Sequence, residues 1–412
     1  MSGSPAFSLF SVYGIEIEYA IVDRDTLDVR SLAPEALHAA SGDWVGDYDD
    51  GDIGWSNELV SHVLELRTNG PVPTLAGVAP QFRESVGRLN GILAEWNAAL
   101  VPSAMHPWMS PREDTVIWPH EGTEIYRAYD AIFDCRRHGW ANVQSTHLNL
   151  PFAGEEEFGR LMAASRLVLP LLPAIAASSP IADGKPTGML NARLEHYRTN
   201  SLRIPSMTGR MIPERIFGID EYMTRVLKPI GDAVKALDPA GVLGGNEWLN
   251  ARGAIARFDR GAIEIRLIDS QEHPAADLAV AEAVTGVLRA LVAERWSSGA
   301  AQREIEAEPL AELLMMAARS GPATELPPGN YRQLFGPPGA GARTLGDLWR
   351  GLAEATFTGP AELEEPLQVI LDRGTLAERI LAATGARPDR ARLFDVWREL
   401  TACLVEGRSF LP

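Results

Sequence analysis

Apolar and polar positions alternate with a period of two in four stretches of the chain, residues 14–23, 62–68, 142–152 and 262–269. That period belongs to β-strands, whose successive side chains point to opposite faces. The four segments are expected to share one sheet. Between them, apolar residues recur every three to four positions over 81–100, 155–172, 219–237 and 275–296, the spacing of amphipathic helices. Strands separated by long helices predict an α+β architecture. Beyond Trp296 the pattern becomes short helical stretches broken by Pro- and Gly-rich connections at 326–330 and 336–343. The expected division is a main domain over 1–298 and a helical C-terminal region over 299–412, packed on that same domain.

The polar positions of the strands are unusually acidic. Gly-Ile-Glu-Ile-Glu-Tyr at 14–19 sets Glu16 and Glu18 on one face, with Ile15, Ile17 and Tyr19 on the other. Val-Leu-Glu-Leu-Arg at 63–67 does the same with Glu65 and Arg67, and Glu58 lies just upstream, behind an acidic loop at 47–52. In the 262–269 segment Glu264 shares a face with Arg266, and in Ser-Thr-His-Leu-Asn at 145–149 Ser145, His147 and Asn149 share one. Taken singly, each pair reads as the solvated side of a half-buried strand or as a surface ion pair of little value. A lone histidine reads as a hydrogen-bonding residue, as do His62, His106 and His196. Taken together, several carboxylates on one sheet face repel each other strongly unless cations intervene. A set rich in oxygen donors with one imidazole suits Mg²⁺, or Mn²⁺, better than zinc.

Composition narrows the partners. With 412 residues, 46% of them hydrophobic, the chain can bury a large core without staples. Cys135 and Cys403 are its only cysteines, so no disulfide framework can be read and a reducing compartment is expected. The first eleven residues carry no Lys or Arg, unlike a secretory leader. The longest apolar stretch, 167–177, is interrupted by Pro170 and Pro173 and falls short of the roughly 20 residues a spanning helix needs. A cytoplasmic protein with no membrane partner is the expectation. The formal charge of −17 opposes nucleic-acid binding, yet carboxylates that hold divalent cations would still admit an anionic nucleotide. Neither common nucleotide loop is present: Lys185 after Gly184 is followed by Pro186, and no Gly-x-Gly-x-x-Gly follows a strand.

The order of these segments, Gly-x-Glu-x-Glu, then Leu-Glu-Leu, His-Pro, His-x-Asn and Glu-x-Arg, resembles the glutamate-cysteine ligase family, including its compact bacterial carboxylate–amine ligases. The likeness runs from residue 14 to about 280, and more loosely into Gly-Thr-Leu-Ala-Glu-Arg-Ile-Leu at 374–381, which is similar to the family's closing segment. It implies a glutamine-synthetase-like catalytic sheet in the first domain, curved and mostly antiparallel, flanked by helices. Its concave face would hold two or three Mg²⁺ ions between ATP, as co-substrate, and glutamate. Carried over by position, Glu16, Glu18, Glu65, His147 and Glu264 resemble the metal ligands, and Glu58 stands where relatives often have Asp. Arg266 would neutralise phosphate charge, and Glu58 is the candidate proton acceptor. Thr-Asn-Ser-Leu-Arg at 199–203 is similar to a stretch of the larger enzymes whose arginine lies close to the substrates, which makes Arg203 a candidate catalytic residue. Tyr126, Arg127, Arg198 and Asn149, with Ser-Ser-Pro at 178–180, match positions near the substrate pocket.

Two positions depart from the compact relatives: Ser145 replaces the first histidine of a usual His-x-His, and Asn149 replaces a glycine that often follows. His-x-Asn is closer to the larger enzymes, which keeps cysteine among the acceptors. The expected activity is ATP-dependent joining of the γ-carboxylate of glutamate to an amine through an acyl phosphate. The alternatives are another carboxylate or another amine, a metal-dependent hydrolase that needs no ATP, and a binding protein without turnover. The expected partners are small molecules (ATP, glutamate, an amine such as cysteine), with homo-oligomer formation left open.

Overall fold

The structure, a computed structural model, describes residues 7–244, 247–327 and 329–412. The first six positions of the segment read as unlike a leader lie outside the described residues, as does position 328 in the first Pro-rich connection.

The strand β1 (Gly14–Asp23) forms the middle of an eight-stranded sheet. On one side it pairs with β4 (Val63–Thr68), followed outward by β3 (Ile53–Asn57) and β2 (Asp47–Asp50). On the other side it pairs with β6 (Ser145–Pro151), and its far end also takes β5 (Ala98–Val101). A two-stranded hairpin, β7 (Ile181–Ala182) and β8 (Lys185–Pro186), stands apart. The sheet ends with β9 (Ala254–Arg257) and β10 (Ala262–Asp269), of which β10 lies against β6. All these pairings are antiparallel. The four alternating segments therefore lie in one sheet, as their pattern predicts.

Register decides what the sheet can do. Glu16 lies opposite His147 on one side and Arg67 on the other, Glu18 lies opposite Glu65, and Glu264 lies opposite Asn149. Because residues directly opposite project to the same face, the acidic positions of separate strands are gathered into one row. On the reverse face Ile15, Ile17, Leu64, Leu66, Leu148 and Leu150 are wholly buried. The helix Gly154–Val168 packs on β9 and β10, Val78–Leu93 packs on β3 and β5, and Pro274–Val292 packs against both helices. The C-terminal helices Ala307–Ser320, Leu345–Thr356 and Glu364–Arg373 contribute to that same core. Leu376–Thr384 starts on a capping box between Thr375 and Glu378, and it packs with Arg390–Glu406 against Ala20, Val22 and Val101.

Three elements differ from the periodicity. The helix expected over 81–100 ends at Leu93, passes through a 3₁₀ turn and stops at Asn97, whose φ of 54° is left-handed; the chain then reverses into β5. Asparagine tolerates that conformation better than most residues, which makes it a natural stop. The stretch 47–52, expected as an acidic loop, contains β2, because its backbone pairs with β3 while Asp47 and Asp49 face outward and Asp50 is held by Arg88. The helix expected over 219–237 carries a π segment, Met223–Leu227, just before Pro229. Proline offers no N–H and crowds the carbonyl four residues earlier, so a wider turn accommodates it. Among the described residues no helix is long and apolar enough to cross a membrane.

Candidate active site

The polar face of the sheet is roofed by three short helices, Thr123–Phe133, His138–Ala141 and Ala192–Asn200, and they enclose a cavity of about 230 Å³ over the acidic row. Glu18, Glu58 and His147 line it, while Glu16, Glu65, Asn149 and Glu264 lie on the same sheet face outside its lining; Glu58 and Glu65 are half-buried and the others buried. His147 Nδ1 lies 2.9 Å from Glu16 Oε2. Its Nε2 faces Ser145 Oγ at 3.0 Å and Glu18 Oε1 at 3.8 Å. The Ser145 backbone N–H donates to Glu18 Oε2 at 2.8 Å, so Ser145 holds both Glu18 and His147 in place. The Ser56 hydroxyl donates to Glu65 at 3.1 Å.

Electrostatics divide the row. Burial works against the Glu16 carboxylate, but hydrogen bonding and charge from His147 and Arg260 outweigh it and hold the group down at about 2. Burial pushes Glu18 up. Glu58 rises to about 8 through burial and the neighbouring Glu18. Glu65 is driven well above the carboxylate range by burial and then by Glu16, Glu58 and Glu18. For His147 burial favours the neutral ring, but the bond to Glu16 and the charges of Glu18 and Glu16 carry it above its ordinary value.

Donor atoms of Glu16, Glu65 and His147 lie within 4.8 Å of one another, as do those of Glu18, Glu58 and Glu65. Glu65 belongs to both sets, so two neighbouring cation positions sharing one carboxylate fit these residues. The chemistry of the donors agrees: like charges face each other directly at Glu18 and Glu65, and Asn149 Oδ1 is a buried acceptor without a partner. Glu264, assigned with the other ligands from sequence, is engaged instead by cations, with Arg257 Nη1 at 2.9 Å and Arg266 Nε at 3.1 Å.

Arg266 lines the cavity, just where the β6–β10 register shifts between Ile265 and Ile268. Tyr126 lines it as well, and its hydroxyl accepts from Asn57 Nδ2 at 2.9 Å. Three other candidates sit elsewhere. Arg127 is exposed, on the same helix as Tyr126. Arg198 is an exposed partner of Glu195 at 2.6 Å, and Arg203 donates to the Ile132 carbonyl at 2.8 Å. Helical spacing sends Arg127 and Arg198 outward, Arg203 lies in the turn after the helix Ala192–Asn200, and none of the three lines the cavity. Sequence reasoning missed Arg257 and Arg260, which flank the β9–β10 turn; Arg260 Nη1 lies 2.9 Å from Glu16 Oε1. An Arg-x-x-Arg directly before the Glu-x-Arg strand was the available signal. Tyr129, Trp140 and Tyr197 complete the roof, and only the tertiary fold brings them there.

The family model for glutamate-cysteine ligase family 2 matches residues 12–398. The chain belongs to that family. An uncharacterized protein of Archaeoglobus fulgidus is 30% identical over 398 residues, covering 97% of this chain and 100% of its own length. A Rubrobacter xylanophilus protein, provisionally named a glutamate–cysteine ligase, is 30% identical over 221 residues, and the match spans 52% of this chain and 53% of that protein. Among solved structures, the glutamate–cysteine ligase of Francisella tularensis in complex with AMP superposes with a TM-score of 0.60 at 13% identity, covering 97% of this chain and 90% of that one. The α+β fold with its antiparallel sheet is therefore that of the ligases, and the family is one of carboxylate–amine ligases.

Proposed function

We propose that this family member is an ATP-dependent, magnesium-requiring ligase that joins the γ-carboxylate of glutamate to an amine through an acyl phosphate. The observation that carries the reading is the largely buried row of Glu16, Glu18, Glu58, Glu65 and His147, with Arg257 and Arg260 on its Glu16 and Glu264 side and an aromatic cavity, which Arg266 also lines, over Glu18, Glu58 and His147.

Glu16, Glu65 and His147 would hold one cation, and Glu18, Glu58 and Glu65 a second. Bound Mg²⁺ would shield the phosphate oxygens and relieve the repulsion between two anionic substrates. The triphosphate is assigned to the side bearing Arg257, Arg260 and Arg266, since fixed guanidinium donors would stabilise the equatorial oxygens of the transferred group. The substrate carboxylate takes the γ-phosphoryl group and ADP leaves. The amine lone pair then forms the C–N bond, the C–O bond to phosphate breaks, and inorganic phosphate departs. The proton lost by the attacking nitrogen needs a nearby acceptor, for which Glu58, lining the cavity beside Glu18, is the candidate through the carboxylate oxygen it does not give to a cation. The aromatic roof keeps water from the activated carboxylate.

The test is ADP release by the full chain with Mg²⁺, glutamate and hydroxylamine, followed by mass spectrometry for the γ-glutamyl hydroxamate. Hydroxylamine captures an activated carboxylate whatever amine the protein prefers. Glutamate-dependent ADP with hydroxamate is the expected result, and hydrolytic activity that proceeds equally without ATP would overturn the ligase reading.

A further inference from the structure

A buried carboxylate stands behind the sheet, on the face opposite the acidic row. Asp277 lies in the first turn of the helix Pro274–Val292 and is wholly buried. Its Oδ1 accepts from the Thr146 hydroxyl at 2.5 Å and from the Gln271 N–H at 2.9 Å. Its Oδ2 is buried without a partner, no cation among the described residues pairs with it, and burial drives the carboxyl up to about 7. An acid held in this way costs free energy, and an apolar side chain would fill the same space at less cost.

What the acid grips gives it a role. Thr146 stands between Ser145 and His147 and projects to the opposite face of β6. It faces Ile17 of β1 on one side and, just past the register shift, Ile268 of β10 on the other. A strand pinned there holds both of its neighbours. Those neighbours order the acidic row: the Ser145 N–H reaches Glu18 Oε2, and His147 Nδ1 reaches Glu16 Oε2. The connection that leads from β10 into the helix grips β1 as well, since Ser270 Oγ donates to the Glu18 carbonyl at 3.2 Å. That connection is itself anchored, Asp269 by Arg193 at 2.6 Å and Glu272 by Arg379 at 2.5 Å. The two strands that carry Glu16, Glu18 and His147 are thus tied from behind to one rigid element.

We propose that Asp277 is a positioning residue, which through Thr146 fixes the β6 backbone so that His147, and Glu18 held by Ser145, keep the arrangement that receives divalent cations. The inference rests on the cation positions of the reading above and adds a residue which that reading does not use. The experiment measures Mn²⁺ binding to the full chain without nucleotide, by electron paramagnetic resonance, beside thermal unfolding of the same metal-free proteins. Thr146→Val keeps the shape and removes the donor, Thr146→Ser keeps the donor, and Asp277→Ala removes the acceptor. Loss of a group that orients metal ligands costs about 10–100-fold in affinity, so Thr146→Val and Asp277→Ala should each raise the Mn²⁺ Kd about tenfold, and Thr146→Ser less than about twofold. The double variant Thr146→Val with Asp277→Ala should bind no more weakly than Thr146→Val alone, because both changes cut the same link. Should Asp277→Ala fail to fold, the Val and Ser variants of Thr146 carry the comparison by themselves.

Parental Mn²⁺ affinity in a folded Thr146→Val protein, even one that melts earlier, makes the pair a stability element and overturns the inference while leaving the cation positions intact. Additive losses in the double variant overturn it too, as does equal weakening by Thr146→Ser. If the parent chain binds no Mn²⁺, the cation positions fall and the inference falls with them.

Discussion

The two faces of one sheet are built from the same strands and differ in almost every physical respect. Leu64, Leu66, Leu148 and Ile17 are sealed from solvent among other apolar side chains, and each adds stability without further requirement. One residue along, Glu16, Glu18 and His147 are buried and Glu65 half-buried, and these polar groups oppose one another. The first face explains why the protein folds; the second is the face to which the proposed function assigns the cations. Stability and function are separated here by a single step along the strand.

Adjacent substitutions break the comparison most directly. Glu65→Gln removes a carboxylate shared by both candidate cation positions, so turnover should fall on the order of a thousandfold, the loss typical when one preorganised electrostatic group is removed. Because the change also relieves the repulsion from Glu18, the thermal unfolding midpoint should be no lower than that of the parent. Leu66→Ala should do the reverse, costing about 2–5 kcal/mol of stability through lost burial and a residual cavity. Unfolding curves and kcat/KM for both variants decide the matter. A Glu65→Gln protein with near-parental turnover would remove the carboxylate row from the chemistry.

Histidines sharpen the same contrast. His147 is held by carboxylates, whereas His62 and His106 are held by the main chain: His62 Nε2 lies 2.7 Å from the Ala141 carbonyl and His106 Nε2 lies 2.8 Å from that of Leu27. His106 Nδ1 also accepts from the Met109 N–H at 3.0 Å, which fixes the neutral ring. Burial, the largest influence on each, lowers both groups from 6.5 to about 4. Between those values the unfolded chain binds protons that the native state refuses, so stability rises with pH there and is fully present above about 6.5. Acidification toward pH 4 should therefore cost up to about 3 kcal/mol for each histidine. Denaturant midpoints measured between pH 7 and pH 4 test this, and a flat profile would refute neutral burial.

Much of this contrast was legible in the chain. Alternation at 14–19, 63–67, 145–149 and 262–269 located the strands and told which side of each was acidic, because a period of two leaves no freedom once one face is greasy. Residues on helices and turns were harder. Arg127 and Arg198 were expected near the substrates but project into solvent, since their helices bury other sides. Gln144, Trp140 and Tyr197 come together from separate elements, and no spacing along the chain encodes that meeting. β2 was hidden because three of its four residues are aspartates, a composition poor in strand propensity, and backbone pairing to β3 overrides it.

The smallest expected effect is the one that orients the site. Arg260 is half-exposed and touches Glu16 from the β9–β10 turn, whereas Tyr197 and Gln144 line the cavity over Glu18, Glu58 and His147. Exposure and screening limit what Arg260 can contribute, so Arg260→Ala should raise KM for ATP only about three- to tenfold, with an effect that shrinks as salt is added. KM for the amine should hardly move. If the amine KM rises and that for ATP does not, the two sides have been assigned the wrong way round, because the Arg260 side would then be serving the acceptor and the aromatic cavity the nucleotide.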